Sequence, residues 1–378
     1  MGKRALQLAS VASMIDQFNI PNIEILQSLG YKVDVVADFT NPGTITKERS
    51  EDLKKRLNDI NVGVFDIAIP RTMNPSAITS AYKKVKDLIT SEHYDLIHCH
   101  SPIGGVICRQ AAKSERNKGT KVIYTAHGFH FYDGAPLKNW LIFYPIEKHY
   151  SRYTDVLITI NKEDYKRASA NFHAKKTVYV PGVGVDIKKF APRQSGREKI
   201  RSELGIADDK ILLLSVGELN ENKNHSSVIK AIAGMQNIVY VVVGKGDKEK
   251  YLRSLANENS VDLRLTGFRN DVADFYDAAD VYVLPSIREG LNVSLMEAMA
   301  SGLSVICGRI RGNIDLIGDE DCLFDSMNEG EIRKAVSIAI DQRDELGRRN
   351  LEKIRSFDLK TVENLTSEIY RGGVRAFK

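Results

Sequence analysis

The sequence predicts an α/β protein made of two tandem Rossmann-like domains that face a cleft. A chain of 378 residues exceeds the usual size of one domain. Strand-like and helix-like segments alternate along it, which favours parallel sheets covered by helices on both faces. The alternation stops between Val178 and Gly184, where the chain reads VYVPGVG, and then restarts. Because proline and glycine interrupt both strands and helices, we interpret this segment as the connection between the domains.

The first predicted domain covers residues 1–180. Its strands are short runs rich in β-branched residues, and Gly30 is expected to close its first helix. The predicted strands are 5–9, 32–37, 64–69, 95–100, 121–126 and 154–160. The predicted helices are 19–29, 76–90 and 103–113.

The second predicted domain covers residues 181–359, and 359–370 reads as a closing helix. The predicted strands of this domain are 211–216, 239–243, 263–266, 281–284 and 303–307. Gly217, Gly244 and Gly267 follow three of these strands, where glycine permits a tight turn or a close approach of the backbone. Ligands of open α/β sheets bind at the carboxyl ends of strands, so these loops are candidate binding elements.

Composition excludes several classes of protein. Hydrophobic residues make up 43% and charged residues 27%, which is ordinary for a soluble globular chain. No apolar run reaches the roughly 20 residues that span a bilayer, and the apolar part of the N-terminus is too short for a signal peptide. The four cysteines lack the spacing of a metal site, which indicates reduced thiols in a cytoplasmic protein.

Charge is unevenly distributed along the chain. Residues 1–185 contain 25 basic and 18 acidic residues, a net charge of +7, whereas the remainder has 29 and 31, a net charge of −2. The basic half suggests an anionic partner or an anionic membrane surface. The alternative is that lysine-rich helices only keep the protein soluble.

The segment between Arg288 and Gly302 carries the clearest chemical signal. It follows a strand that ends at Pro285, and its second half has helical composition with Ser301-Gly302 as a stop signal. Glu289 is expected in the loop and Glu297 in the first turns of the helix, with free backbone amides between them. Carboxylates bind hydroxyls and helix-start amides bind phosphates, so together they suit a ligand that carries both groups.

A structural role for Glu297 is the competing interpretation. Ser294 and Glu297 have the Ser-x-x-Glu spacing of a capping box, in which both side chains serve only the helix terminus.

Two further loops of the second half are candidate ligand elements. Lys223 lies near a predicted helix start, where its ammonium can reach phosphate oxygens, although a solvated loop lysine is the plain alternative. Phe268 and the backbone beside it can lie against a nucleobase, although a loop phenylalanine is more often core packing.

Histidines mark the end of the strand 121–126. His127 and His130 follow it, and either one can contact a sugar hydroxyl or stabilise charge near a reacting carbon; a structural role is the alternative for both. His98 and His100 are interpreted as pointing to opposite faces of their strand, which makes them a poor metal pair. We therefore expect no metal.

The stretch from Trp140 to Arg152 combines large apolar and basic residues. It predicts either an interfacial patch that meets a membrane or a lipid-linked acceptor, or a long buried helix kinked or opened by Pro145.

Taken in order, these motifs resemble the family-4 retaining glycosyltransferases over nearly the whole chain. The segments that carry the resemblance are 125–130, 217–223, 267–272 and 285–297. Residues 9–18 and 134–140 are similar to the bacterial capsule and exopolysaccharide branch of that family.

The resemblance implies the two-domain GT-B fold, with 360–378 packing back on the N-terminal acceptor-binding domain. It also implies roles for individual residues. Glu289 and His127 would act at the reacting sugar, and Ser13 and His130 are assigned to the acceptor side. Glu297 would bind the ribose hydroxyls of a nucleotide-sugar. The remaining donor-binding residues would be Gly217, Lys223, Phe268, Arg269, Gly290, Leu291, Asn292 and Val293.

Two departures from the family pattern concern phosphate binding. Glu218 replaces the arginine that usually follows the first glycine of its loop, so the second positive clamp is either missing or supplied elsewhere, with Arg288, Arg309 and Arg311 as candidates. The stretch 10–13 stands where the family commonly has paired glycines.

From this resemblance we expect a metal-independent retaining enzyme without a cofactor. It would transfer a hexose or N-acetylhexosamine from a UDP-sugar to a lipid-linked saccharide, at the inner face of the cell membrane and without binding nucleic acid. A nucleotide-sugar epimerase of the same fold and a non-catalytic UDP-sugar-binding assembly protein are the alternatives.

Overall fold

The computed structural model describes residues 2–373, and the chain forms two compact units. The first comprises the residues up to Gly182 together with those from Val362 onward, and the second comprises Val183–Thr361. These limits lie two residues from the predicted ones. The part of the predicted returning segment from 374 to 378 lies outside the described residues.

A seven-stranded parallel sheet forms the centre of the first unit, in the order β3-β2-β1-β4-β5-β6-β7. Its central strands are largely buried because helices cover both faces of the sheet. The strands of the sheet are β1 (Arg4–Val11), β2 (Lys32–Asp38), β3 (Gly63–Asp66), β4 (Leu96–His100), β5 (Lys121–Ala126), β6 (Val156–Thr159) and β7 (Lys176–Tyr179).

The helices of the first unit connect these strands. Asparagine or threonine side chains cap the N-termini of three of them, at Thr46, Asn74 and Asn161. The helices are α1 (Ala12–Phe18), α2 (Ile20–Ser28), α3 (Lys47–Asp59), α4 (Pro75–Glu92), α5 (Pro102–Ala111), α6 (Lys113–Arg116), α7 (Leu137–Ser151) and α8 (Lys162–Asn171).

The second unit has a six-stranded parallel sheet in the order β10-β9-β8-β11-β12-β13. Its strands are β8 (Ile211–Val216), β9 (Ile238–Val243), β10 (Asp262–Leu265), β11 (Val281–Leu284), β12 (Ser304–Gly308) and β13 (Leu323–Phe324). Its helices are α9 (Gln194–Leu204), α10 (His225–Ala231), α11 (Glu249–Glu258), α12 (Val272–Ala278), α13 (Val293–Ala300), α14 (Arg311–Leu316), α15 (Glu329–Asp341) and α16 (Arg343–Ile354).

The closing helix α17 (Leu359–Arg371) packs on the first unit. Val362, Ile369 and Tyr370 are buried in the same core cluster as residues of β1 and β2. The predicted return of the C-terminal helix to the N-terminal domain is therefore confirmed for the described residues.

One predicted boundary is wrong. The segment from 178 to 184 was assigned wholly to the domain connection, but Val178 and Tyr179 end strand β7, which pairs with β6. Their β-branched and aromatic side chains suit a strand, and Pro181 follows where the ladder has already ended.

Candidate functional site

The strand order of the second unit places two loops side by side. The chain runs from β8 outward through β9 to β10, and then returns to β11 on the other side of β8. Such a reversal opens a crevice at the carboxyl ends of the two central strands, which is where open α/β sheets bind ligands. The loop after β8 contains Lys223, and the loop after β11 contains Glu289.

Hydrogen bonds join these two loops. The amide of Ile287 donates to the carbonyl of Asn222 (2.8 Å), and Nδ2 of Asn222 donates to the carbonyl of Arg288 (3.0 Å). Beside them, Nζ of Lys223 lies 2.6 Å from Oε1 of Glu289, with side-chain exposures of 17% and 15%. The loops therefore hold a positive and a negative group together at the sheet edge.

Gly217 provides the surface over which Lys223 lies. A Cβ atom at this position would meet Cε of Lys223 at 3.2 Å and Cδ at 3.3 Å. A larger residue would therefore require the lysine stem to move by a few tenths of an ångström.

The start of α13 supplies a row of backbone donors. Asn292 caps this helix, because its side chain accepts the amide hydrogen of Leu295 (3.0 Å). Within residues 2–373, the backbone amides of Gly290, Leu291, Asn292, Val293 and Ser294 donate to no other protein group. These amides lie immediately after Glu289, and a helix start that carries free amides favours an anion.

The alternative in which Ser294 and Glu297 form a capping box is wrong. The cap is Asn292, and Ser294 already lies inside the helix, where its hydroxyl donates to the carbonyl of Val216 (3.1 Å). Asparagine competes well with serine for the cap position, and its place two residues earlier sets where the helix begins.

Glu297 is left free of a capping role. Its Oε2 accepts a hydrogen bond from the hydroxyl of Tyr276 (2.8 Å), and no described residue bonds to its Oε1. Burial raises the pKa of Glu297. A half-buried carboxylate with one oxygen committed to the protein still has the other available to a ligand hydroxyl.

The loop after β10 presents Phe268 to solvent. Its side chain is 64% exposed, so the core-packing alternative for this residue is wrong. The neighbouring guanidinium of Arg269 pairs with Glu203 (2.6 Å) and with Asp271 (2.8 Å). Arg269 therefore holds the loop in place with its side chain, which leaves its backbone and the ring of Phe268 for a ligand.

The residues considered for the second phosphate clamp have different surroundings. Arg309 pairs with Glu320 and donates to the carbonyl of Leu323, so its guanidinium is committed to the protein. Arg288 is exposed in the loop that carries Glu289. Glu218 is exposed and accepts a hydrogen bond from Asn220 (2.8 Å). Arg311 is partly exposed at the start of α14, so Arg288 and Arg311 both stay candidates for the clamp.

The sheet of the first unit reverses its strand order between β1 and β4. Ser13, which lies just after β1, is buried: its amide donates to the carbonyl of Pro42 (2.8 Å), and a Cβ atom at Gly43 would lie 2.5 Å from its hydroxyl oxygen. The Ser13 hydroxyl is thus covered by the loop that contains Gly43.

His127 follows β5 and is half-buried. Its Nε2 lies 3.1 Å from Nδ1 of His100, and burial lowers its pKa to about 4. The interpretation that His98 and His100 point to opposite faces is wrong, since their ring centroids are 4.2 Å apart. Residues two apart on a strand share a face.

His130 lies in the loop after His127, and its side chain is exposed. Its ring packs against Phe143 with centroids 4.6 Å apart. It also lines an apolar cavity of about 270 Å³ beneath α7, together with Met73, Ile103 and Phe131.

Helix α7 contains Pro145 without ending there. The side chains of Leu137 and Leu141 are 72% and 69% exposed, and Ile142 is exposed as well. The alternative of a long buried helix is therefore wrong, and α7 presents an apolar surface with basic residues at both ends.

Sequence reasoning missed several residues that hold the site together. Tyr276 positions Glu297, while His100, Gln7 and Tyr370 form a buried hydrogen-bonded chain behind His127. The alternation of His98 and His100 was the available signal for that chain, and correct use of the two-residue strand period would have found it.

No group of three or more His, Cys, Asp or Glu residues within 2–373 has the geometry of a metal site. No helix in the same range combines the length and the apolar character that crossing a membrane requires.

Comparison with known proteins assigns the family. Residues 9–161 match the model "Glycosyl transferase 4-like", and residues 196–355 match "Glycosyl transferases group 1". EpsD of Bacillus subtilis (strain 168), a protein named as a glycosyltransferase, is 36% identical over 327 residues, which cover 84% of this chain and 82% of EpsD. The chain belongs to the group 1 glycosyltransferase family. The two matched segments of this glycosyltransferase fall in its two units.

Other relatives of this glycosyltransferase have more specific names. UDP-Gal:alpha-D-GlcNAc-diphosphoundecaprenol alpha-1,3-galactosyltransferase of Escherichia coli is 28% identical over 327 residues, covering 83% of this chain and 81% of that protein. Among solved structures, Anabaena Alr3699/HepE in complex with UDP matches with a TM-score of 0.77 at 18% identity, over 98% of this chain and all of that one. This likeness confirms the predicted α/β fold class of the glycosyltransferase.

Proposed function

We propose that this glycosyltransferase moves a hexose or N-acetylhexosamine from a UDP-sugar to a lipid-linked saccharide, with retention at the anomeric carbon, in capsule or exopolysaccharide assembly. The names of two relatives support the substrate class: the Escherichia coli enzyme above, and the N,N'-diacetylbacillosaminyl-diphospho-undecaprenol alpha-1,3-N-acetylgalactosaminyltransferase of Campylobacter jejuni. The latter is 22% identical over 375 residues, covering 96% of both chains. Retention at an α-linked donor gives an α product, in keeping with both names.

The observation that carries the proposal is the arrangement at the ends of β8 and β11. A lysine ammonium and a glutamate carboxylate lie 2.6 Å apart beside unpartnered helix-start amides. The amides and the Lys223 ammonium suit the diphosphate, while the Glu289 carboxylate suits the hydroxyls of the sugar joined to it. A nucleotide-sugar carries these two groups next to each other.

The reaction follows from these contacts. The bond between the anomeric carbon and the β-phosphate oxygen breaks, and the diphosphate leaves with its electron pair. The acceptor hydroxyl oxygen bonds to the anomeric carbon from the same face, and its proton passes to the departing phosphate oxygen. Lys223 and the amides of Gly290 to Val293 stabilise the charge that develops on the diphosphate, which is the main catalytic contribution.

The other donor contacts are assigned by position. Glu297 accepts hydrogen bonds from the ribose hydroxyls through its Oε1, and Tyr276 holds its other oxygen. The uracil base lies against Phe268 and the backbone of Arg269. Glu289 orients the hydroxyls of the transferred sugar, and His127 is the residue of the first unit proposed to bind a sugar hydroxyl.

Analysis of a single turnover tests this proposal. Nucleotides and nucleotide-sugars are first screened for a rise in melting temperature, because a ligand that binds the folded state stabilises it. The selected donor is then incubated with a polyprenyl-diphosphate-linked saccharide, and the product anomer is assigned by NMR. An α product from an α donor supports the proposal. An inverted anomer, epimerisation without acceptor, or tight UDP binding without chemistry would each contradict it, and the last two would favour the epimerase and the assembly protein.

The enzyme is proposed to need no metal, because Lys223 and the helix-start amides supply the positive potential that a divalent cation would supply elsewhere. Transfer should keep its full rate after dialysis against a chelator. A rate that falls and returns on addition of Mg²⁺ or Mn²⁺ would contradict this proposal.

The surface of α7 is proposed to contact anionic lipids at the inner face of the cell membrane. Leu137, Leu141 and Ile142 form an exposed apolar surface, and Lys138 and Arg152 are exposed at its two ends. Such a surface buries its apolar side chains among acyl chains while the basic groups meet anionic headgroups.

Vesicle flotation tests this contact. The wild-type protein should float with phosphatidylglycerol vesicles and stay in solution with phosphatidylcholine vesicles. Leu141→Ser should lose binding, whereas the control Met327→Ser, at an equally exposed methionine of the second unit, should keep it. Equal flotation of both variants would contradict the assignment to α7.

A further inference from the structure

A buried chain of hydrogen bonds runs behind His127. His98 and His100 on β4 are each 1% exposed, and Gln7 on β1 is fully buried between them and the closing helix. His100 connects this cluster to His127, which is half-buried at the end of β5. The proposed mechanism uses only His127 from this cluster and gives the buried residues behind it no role.

Five contacts make up this chain of hydrogen bonds. Tyr370 on α17 accepts a hydrogen bond from Nε2 of Gln7 (3.0 Å), and its hydroxyl lies 2.7 Å from Nδ1 of His98. Nε2 of His98 lies 2.8 Å from the hydroxyl of Thr125. On the other side, Oε1 of Gln7 lies 3.2 Å from Nε2 of His100, and Nδ1 of His100 lies 3.1 Å from Nε2 of His127.

The amide of Gln7 decides where the hydrogens lie. An amide oxygen can only accept, so the facing Nε2 of His100 carries a hydrogen. In a neutral imidazole the other nitrogen is then an acceptor, so Nδ1 of His100 accepts a hydrogen from Nε2 of His127. His127 is thus fixed with its hydrogen on Nε2 and a lone pair on Nδ1.

The neutral state of these rings follows from their burial. Burial lowers the pKa of His98 to about 3 and of His127 to about 4, and it lowers the pKa of His100 well below its usual value. No described residue bonds to Nδ1 of His127, so this lone pair is available to a ligand. A lone pair attracts a hydroxyl hydrogen and repels a carboxylate or phosphate oxygen.

We infer that Gln7, His100 and Tyr370 are positioning residues that hold His127 in the Nε2–H tautomer, so that Nδ1 accepts a hydroxyl of a bound sugar. The inference rests on the proposed function for the identity of this ligand. A lone pair at Nδ1 favours a sugar that presents a hydroxyl at this contact and disfavours one that presents a carboxylate there. This positioning also gives the closing helix a part in the reaction, because Tyr370 orients the amide of Gln7.

The tautomer is measured on the free protein. Nitrogen-15 NMR of labelled histidine distinguishes a protonated Nε2 from a protonated Nδ1, and loss of the signal in His127→Asn assigns it. The wild-type protein should show His127 protonated at Nε2 at pH 7. Protonation at Nδ1 would overturn the inference.

The variant Gln7→Glu should give the opposite tautomer of His127. A carboxylate beside Nε2 of His100 favours the doubly protonated ring, whose Nδ1–H then donates to His127 and shifts the hydrogen of that ring to Nδ1. Tyr370→Phe removes the partner of the Gln7 amide and should give both tautomers. The control Lys121→Met removes another contact of α17, the hydrogen bond to the carbonyl of Ile369, and should leave the tautomer unchanged. An unchanged tautomer in both Gln7→Glu and Tyr370→Phe would refute the inference.

Kinetics separate positioning from folding. Gln7→Glu should lower kcat/KM for the UDP-sugar about tenfold, the cost of one lost hydrogen bond of about 1.4 kcal/mol. The Kd for UDP alone should not change, since UDP lacks the sugar. If the wild-type tautomer is as inferred but no UDP-sugar is turned over, the proposed function fails while the positioning chain stands. An equal loss of affinity for UDP would instead show a general structural defect and contradict the positioning role.

Discussion

The ammonium of Lys223 lies 2.6 Å from Oε1 of Glu289, and the two residues come from loops that leave neighbouring parallel strands. The pair is mostly shielded from solvent, yet it lies at the sheet edge where ligands of this fold class bind. Without a donor each charge satisfies the other. Under the proposed function, the diphosphate of the donor would compete for the ammonium and the carboxylate would turn to the sugar hydroxyls.

Glu289→Ala should abolish most transfer while preserving the fold. We expect a fall of at least about 100-fold in the single-turnover rate, comparable to the loss of one preorganised polar contact in an active site. The variant should stay folded, because Lys223 lies at the sheet edge on a long flexible stem and can turn its ammonium to water once its partner is removed. Rapid-quench transfer assays and urea unfolding measure both. Glu221→Ala, in the loop that carries Lys223, removes the partner of Lys248; it is the control and should transfer normally. Wild-type turnover by Glu289→Ala would refute its assigned role.

Lys223→Met should weaken binding through the phosphates alone. The Kd for UDP should rise about tenfold, corresponding to one charged hydrogen bond of about 1.4 kcal/mol, while the Kd for uridine stays unchanged. Isothermal titration with both ligands measures the difference. Lys230→Met, at a lysine paired with Glu329 instead, serves as the matched control. An equal loss for UDP and uridine would place Lys223 away from the diphosphate.

Phe268→Ala should weaken the binding of uridine and of UDP, whereas Lys223→Met should weaken only the binding of UDP. Because the ring is 64% exposed, its removal should change the free energy of unfolding by less than about 0.5 kcal/mol. Loss of stacking on the base should weaken uridine and UDP by the same factor, about tenfold. Tyr251→Ala removes another exposed aromatic ring of the second unit and should leave both affinities unchanged. Unaltered uridine binding by Phe268→Ala would exclude a contact with the base.

Much of the fold could be predicted because parallel strands buried on both faces read as continuous apolar runs. The bounds of β5, β8 and β11 were predicted to the residue. Helices such as α3 (Lys47–Asp59) were missed, since only Ser50, Leu53 and Leu57 of its thirteen residues are buried. A helix with so narrow an apolar stripe gives a weak periodic signal.

The residues of the candidate site were likewise predicted only in part. Loops that follow strands were found because their glycines and charged residues are visible in the sequence, as with Gly217 and Lys223. Contacts between distant residues were not predictable, because local propensity carries no information about them. Gln7 and Tyr370 lie 363 positions apart and meet only through the return of α17. The cap of α13 was misassigned because Asn292 and Ser294 both suit that position.

The contact between Tyr276 and Glu297 links the stability of the fold to ligand binding. Burial raises the pKa of Glu297 above its ordinary value of 4.5, so the folded state disfavours the ionised carboxylate. A raised pKa contributes stability that is fully present below the unfolded-state value and is lost as the pH rises through the folded-state value.

Glu297→Gln should therefore melt at a higher temperature than the wild-type protein at pH 8, because the neutral amide avoids burying a charge and still accepts the hydrogen bond from Tyr276. Below pH 4 the wild-type carboxyl is protonated in both states, so the difference in melting temperature should disappear. The same substitution should weaken UDP binding more than the binding of 2′-deoxy-UDP, since the proposed ribose contact requires the carboxylate. Calorimetric melting at both pH values and titration with both nucleotides test the two halves separately. A lower melting temperature at pH 8 would show that the carboxylate stabilises the fold, and equal losses for the two nucleotides would move the ribose contact elsewhere.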